Sequence, residues 1–494
     1  MRPRQLAALL TLGAAVTIAL CLGISIATEN YALLIFGATV VIVGILVLMP
    51  GYVPLFVFGL LMPFSLPVPF IFGFPFLFIA LGICALKYWL QRGLQNSQQP
   101  MRFNAVDFSI GLFFTWAFLR YCMKPAFPNL MGWGTNVTGF RAWLSYALSF
   151  GVLFFMGRFV ANRAGLLKLM RWLAYVSIFF IFVFVPVTLS KSVALGDLFM
   201  QLGMFVAPFD NGMLRFVALP GFGLFLLSLL LLPNLLKLSR AGWCLAFALG
   251  TMAVILGGSR SGLGMAFIVV TATLLLRRKF LQFEIVMGSA LLVSAVAYFA
   301  GPTLSQLPQS GFFRVFALVS PALAEATGGD ANMEWREIRW QRGLEEIRKH
   351  PLLGVGYGGL ENALSSDVQT EEENEDMNLA TGGVHNGFIA GALALGIPAT
   401  LLFIYVLITQ IFTNAHRALA LRKADPVVAE VHCFVCANLL AYAAGIFIGS
   451  DINDPVIWFF LALGLFVSQL RRQESRKAVA APAFVQPALA SQPA

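Results

Sequence analysis

The sequence predicts an all-α polytopic membrane protein of about 12–14 transmembrane helices with one large extracytoplasmic loop. Three observations predict it. Hydrophobic residues make up 59% of the chain and charged residues only 11%, with a mean hydropathy of +0.82. Soluble domains carry about 25% charge, so this surface needs lipid as its solvent. Apolar runs near the ~20 residues that cross a bilayer recur along the chain. Basic residues collect in alternate connections between those runs.

Hydropathy and chain breaks place spans near 6–27, 31–49, 54–66, 70–90, 106–120, 141–157, 172–192, 214–232, 243–258, 261–276, 282–300, 385–411, 428–448 and 455–470. The first follows Arg2 and Arg4, and Ser25-Ile26-Ala27 has the look of a signal-peptidase site. Its apolar run of about 22 residues exceeds the ~7–15 of a secretory signal, which favours an uncleaved span. The pairs at 54–90 and 243–276 contain proline or Gly-Ser interruptions and read as broken or re-entrant helices. The segments divide into a transmembrane bundle at 1–300, an extracytoplasmic loop domain at 301–384, C-terminal transmembrane helices at 385–470, and a cytoplasmic Ala/Pro-rich tail without folded structure at 471–494.

Charge gives orientation. With both termini inside, the inner segments hold 21 of the 33 basic residues and five of the 23 acidic ones. Lys and Arg in short loops set topology, so both ends of the chain are expected in the cytoplasm. The net charge of +10 then reflects topology and attraction to anionic lipid rather than a nucleic-acid footprint. Six cysteines include one C-x-x-C, Cys433 and Cys436, on an apolar helix with no second pair, so neither zinc nor a disulfide framework is expected.

The long loop carries the distinctive residues. Asn332 to His350 reads as an amphipathic helix in which Trp335, Ile338, Arg339, Arg342, Glu345 and Glu346 recur at three- and four-residue steps. Pro351 stops it. Leu352 to Gly359 is glycine-rich and must turn tightly, Asp367 to Asp376 is acidic, and Gly382-Gly383-Val384-His385-Asn386-Gly387 leads into a span.

Three features in this order resemble one family. They are the Gly258-Ser259-Arg260-Ser261-Gly262 break, the Arg-bearing outer helix followed by His350-Pro351-Leu352-Leu353-Gly354-Val355-Gly356-Tyr357-Gly358, and His385-Asn386-Gly387-Phe388 followed by Gly396-Ile397-Pro398. Together they are similar to the O-antigen ligase and polymerase superfamily. The resemblance implies a GT-C-like bundle and a membrane glycosyltransferase without cofactor. Its donor would be a glycan on undecaprenyl pyrophosphate. Its acceptor would be lipid A–core sugar in ligases, a second lipid-linked glycan in polymerases, or a protein in the O-oligosaccharyltransferase branch. Arg215 departs from the expected pattern, since Phe216-Val217-Ala218-Leu219-Pro220 follows it.

The residue chemistry bears on that implication. Breaking a sugar–pyrophosphate bond develops negative charge on the leaving group, which fixed cations stabilise, and the arginine fork suits phosphate. Arg260 and Arg215 fall at outer span ends, where a charge is costly unless it faces a polar cavity or ligand; Arg260 could instead snorkel to headgroups. Ser259 and Ser261 flank Arg260 and are candidate substrate contacts beside it. An acceptor hydroxyl needs a base, and among the four histidines His385 sits at an outer span start beside glycines, with Asn386 next to it. His350 ends a helix, where capping is the plainer role. His385 and Arg260 are therefore the catalytic candidates, with Arg215, Arg336, Arg339, Arg342, Asn386, Ser259 and Ser261 expected to bind substrate. Arg336, Arg339 and Arg342 could equally form a solvated face. Trp335 and Trp340 could stack on sugars or pack on the bundle. Arg141 and Arg314 are weaker candidates. Asp451 and Asp454 are candidates to orient an arginine or to hold a divalent ion; no Asp-x-Asp occurs in the first outer loop, and no metal is expected. The competing class is a polytopic transporter or channel for envelope polysaccharide or a small solute. It would be expected to show two similar halves, which the sequence lacks.

Overall fold

A computed structural model describes residues 52–62, 65–68, 71–92, 105–123, 139–159, 162–190, 192, 194–196, 199, 206–208, 214–306, 316–317, 319–326, 331–357, 384–449 and 451–480. The expected spans at 6–27 and 31–49, the acidic run 367–376 and residues 481–494 lie outside them. The described chain is an all-α bundle with two short antiparallel ribbons.

Helices α1 (Tyr52–Leu61) and α2 (Phe76–Arg92) flank the ribbon β1 (Ser65–Val68) and β2 (Ile71–Pro75), which pairs Leu66 with Phe74. Pro63, Pro67, Pro69 and Pro75 each remove an amide donor, so the expected spans 54–66 and 70–90 give up their facing ends to the ribbon. Helices α3 (Ala105–Met123), α4 (Gly139–Phe159) and α5 (Arg163–Ser190) follow. The expected span 214–232 starts late. Its first residues form β4 (Leu214–Phe216), paired with β3 (Val206–Pro208), because Pro220 fits only the first turn of α6 (Leu219–Leu230).

Helices α7 (Arg240–Leu256) and α8 (Arg260–Leu276) form a hairpin about the Gly257–Ser259 turn, where Gly258 takes a φ of +57°. Ser239 and Ser259 cap the two helices by accepting the amides of Gly242 and Gly262. The hairpin turn abuts Pro220 at the start of α6, while the indole of Trp243 and the guanidinium of Arg277 reach the carbonyls of Leu230 and Leu231 at its end. Thus α7 runs antiparallel to α6, and α8 runs parallel to it.

Helices α9 (Phe280–Leu304), α10 (Pro321–Ala326), α11 (Ala331–Lys349), α12 (Gly387–Leu395), α13 (Ile397–Leu421), α14 (Pro426–Ile448) and α15 (Pro455–Ala480) complete the order. The amphipathic helix expected at 332–350 is α11. The span expected at 385–411 is two helices, because Gly396 adopts a φ of +89° against the Leu352 carbonyl. Helix α15 runs ten residues past the expected 470, into the segment read as an unstructured tail.

Helices α3, α5, α9, α13 and α14 are long and apolar enough to cross a membrane, and shorter apolar helices pack among them. Among the described helices α14 is the hub, with most of its apolar length buried, whereas α9 is little covered and packs mainly on α8 and α10. Phe113, Phe114, Phe403 and Trp458 interlock the centre, with ring centroids 4.5–5.9 Å apart. A buried polar chain, His432 Nδ1 to Asn414 Oδ1 at 2.6 Å and Asn414 Nδ2 to the Gln410 carbonyl at 2.7 Å, ties α13 to α14.

Candidate functional site

The site grows from the start of α12. Asn386 is 4% exposed, and its Oδ1 accepts the amides of Phe388 and Ile389 at 3.1 and 3.2 Å. It is therefore the N-cap of α12. The preceding residue, His385, is held at a φ of +49°, in the left-handed region that costs a residue with a Cβ about 1–2 kcal/mol. Part of the residue is open to solvent, while Nδ1 lies against Gly449 just past α14.

Helix α11 brings cations to that ring. Gly343 allows the approach, since a methyl there would come within 2.9 Å of Ile389 on α12. Ile347, Val355, Val384, Ala392 and Leu393 bury the seam, and the Trp340 indole donates to the Val384 carbonyl at 2.9 Å. That bond anchors the residue before His385. Arg336 donates to the Ile448 carbonyl at 3.4 Å, and Arg339 is 6% exposed. Crowding by protein atoms, and then the positive fields of Arg336 and Arg339, lower the imidazole pKa to about 4. The ring is thus neutral near pH 7. Arg342 lies on the exposed part of α11, where Lys349 pairs with Glu346 at 2.6 Å.

The glycine-rich turn 351–357 supports α12 from below. Val355 donates to Leu393 at 2.6 Å and Ile397 donates to Pro351 at 2.9 Å. Gly354 and Gly356 adopt φ of +66° and +89°, as the tight turning of this segment requires. Arg120 on α3 is 3% exposed and donates to the carbonyls of Leu353 and Gly354 at 2.7 and 3.0 Å. Trp116, one turn earlier, donates to Leu395 at 2.8 Å. Sequence reasoning missed this clamp. An arginine in the last turn of an apolar helix was the available signal.

The Gly258–Gly262 turn lies at the same end of the bundle. Cys433 Sγ contacts the Thr273 carbonyl at 3.9 Å, and Arg277 reaches Glu430 at 3.8 Å, so α8 and α14 run antiparallel. Counting back along both helices sets Arg260 level with the last turn of α14, whose Ile448 carbonyl takes Arg336. Ser259 Oγ and Ser261 Oγ lie 2.7 Å apart, with Ser259 also capping α8. The backbone of Arg215 pairs with Ala207 five residues before Pro220, against which the turn packs. Arg215, Arg260, Arg336, Arg339 and His385 therefore belong to one end. The side chains of Arg141, Arg215, Arg314 and Trp335 lie outside the described residues. His350 closes α11, its amide bonded to Glu346 at 3.2 Å.

Asp451 and Asp454 follow Gly449 at this end. Burial raises both carboxyls, to about 7 and about 6, and Asp454 adds to the shift of Asp451. Asp454 Oδ1 accepts the Val456 amide at 2.9 Å, capping α15. Among the described residues no three His, Cys, Asp or Glu side chains group as a metal ligand set.

Residues 245–404 match the family model described as O-antigen ligase, Wzy_C. The matched stretch runs from α7 into α13 and contains Arg260, Arg336, Arg339 and His385. No curated protein matches the chain. In this stretch the chain resembles the O-antigen ligase and polymerase superfamily, and it is an all-α polytopic membrane protein.

Proposed function

We propose that the protein is a metal-independent glycosyltransferase of the bacterial inner membrane. It transfers or polymerises a preassembled glycan from undecaprenyl pyrophosphate at the outer face, as an O-antigen ligase or an O-antigen or exopolysaccharide polymerase. The supporting observation is the neutral His385 flanked by Arg336 and Arg339, within the matched stretch and at the Arg260 end of the bundle.

The chemistry follows from the charges. A hydroxyl of the acceptor, lipid A–core sugar or a second glycan, attacks the anomeric carbon of the donor. The bond from that carbon to the pyrophosphate oxygen breaks, and the electron pair leaves with the lipid-linked pyrophosphate. His385 takes the hydroxyl proton. Arg260, Arg215 and Arg339 stabilise the charge gained by the leaving group, which lets the step proceed without a nucleotide. An imidazole with a pKa of about 4 is a weak base. A pyrophosphate anion beside Arg336 and Arg339 offsets their fields, so donor binding itself raises the basicity of His385.

The test is glycan display in strains carrying His385→Ala, Arg339→Ala or Arg260→Ala at normal protein level. Polymer should vanish in the first and fall by about 10²-fold or more in the others. Accumulated single repeat units would identify a polymerase, and full-length chains left on undecaprenyl pyrophosphate would identify a ligase. Normal display in the His385→Ala strain rejects the reading.

A further inference from the structure

We infer that a cavity at the opposite end of the bundle is a binding site for the phosphate group of an anionic phospholipid. The cavity has a volume of about 160 Å³, far above the ~10–15 Å³ that admits one water. It opens where the ends of α8 and α13 meet the start of α14. Its polar wall is Asn234, Arg277, Lys279, Arg422 and Glu430.

Three cations face one carboxylate there, and that carboxylate is already engaged. Glu430 is 6% exposed and accepts both the amide and the side-chain Nδ2 of Asn234 at 2.8 Å, with Arg277 at 3.8 Å. Arg277 is held further by the Leu231 carbonyl. The next acid, Asp425, lies 3.1 Å from Arg163 and caps α14 through Val428, so it does not neutralise the wall. Lys279 and Arg422 remain exposed at the mouth. Between Arg277 and Lys279 the chain reverses through Arg278 at a φ of +52°, a left-handed residue that sets its two neighbours on the same wall.

The place selects the ligand. These are helix ends, so the mouth lies at headgroup depth, and clustered Lys and Arg between helices at that depth suit phospholipid phosphate. An arginine fixed by two protein oxygens presents its remaining donors without reorganisation. The cavity is one length of α8, about 25 Å, from the His385 end. The inference therefore stands independently of the glycan reading.

The experiment is native mass spectrometry of the full chain, delipidated in neutral detergent and titrated with phosphatidylglycerol or phosphatidylcholine. The wild type should prefer phosphatidylglycerol. The Lys279→Gln/Arg422→Gln pair spares the Arg277–Glu430 contact and should weaken that preference about fivefold per cation, roughly thirtyfold together. An unchanged melting point in neutral detergent separates lost binding from lost fold. If the pair does not purify, Arg422→Gln alone carries the fivefold test. Equal retention of phosphatidylglycerol by the variant overturns the site. Equal affinity for both lipids, with displacement by millimolar inorganic phosphate, assigns the cavity to a soluble phosphate and overturns the lipid source.

Discussion

At His385 a left-handed backbone, a partly desolvated ring and two arginine fields act on one imidazole. Because the arginines contribute to the depressed pKa, Arg336→Met should move the acid limb of kcat/KM upward from about 4 towards the ordinary histidine value of 6.5. In the wild type the limb of kcat should lie above that of kcat/KM, since bound pyrophosphate screens the fields; coincident limbs would remove the coupling. Protonation also reaches stability, with opposite signs at two places. The folded pKa of His385 is lowered, so its contribution is present above 6.5 and is lost as pH falls towards 4. Asp451 is raised from 3.8 to about 7, so its contribution is full below 3.8 and is lost as pH rises through 7. Asp451→Asn should therefore raise the melting point at pH 8 and leave it near wild type at pH 4. A scan showing the reverse would contradict the burial. The sequence made His385 legible because only four histidines exist and one opens a span beside glycines. It also pointed to Arg339 by its place on the helix. It could not foresee capping: Asn386 and Ser259 have the right chemistry for capping and for binding, and the bonds to the Phe388, Ile389 and Gly262 amides show the first.

The elements differ from the hydropathy reading wherever a proline or a left-handed glycine intervenes. An apolar run from 385 to 411 looks continuous to a composition window, yet Gly396 ends α12 and starts α13. The bend depends on the 351–357 turn, which inserts its carbonyls between the two helices. Gly396→Ala should cost about 1–3 kcal/mol, from the torsion and from the clash with the Leu352 carbonyl, read as a lower melting point in detergent. Arg120→Met keeps the volume but abandons the Leu353 and Gly354 carbonyls, each an unmet acceptor costing about 1–3 kcal/mol. Its expected signature is a loosened site, with KM for donor rising while α3 stays packed. A variant with unchanged melting point and kinetics would show that the clamp is dispensable. Helix α11 was legible almost to the residue, because its charged face and Pro351 define both pattern and stop.

Across the whole molecule, charge separates the two ends. Arg163, Lys237, Arg240, Arg277, Lys279, Arg422 and Lys423 gather where α8 ends and α14 begins, and His385 with its arginines lies at the other end. The alternation of loops in the sequence anticipated this grouping; the inner and outer assignment is tested directly. In a Cys21→Ser/Cys122→Ser/Cys244→Ser background, an impermeant maleimide on intact cells should label Arg342→Cys and spare Lys423→Cys. The opposite pattern inverts the topology. What the sequence left hidden was which helices touch. Hydropathy marks α9 and α14 alike, yet among the described helices α14 is packed on most sides and α9 leaves most of its surface open. If α9 meets lipid along its open surface, acyl chains do for it what side chains do for α14. Its immersion is set by whatever amphiphile surrounds the protein, so exchanging bilayer for detergent should leave the amide protection of α14 intact and alter that of α9 first. Purification conditions thus become part of this helix's tertiary structure.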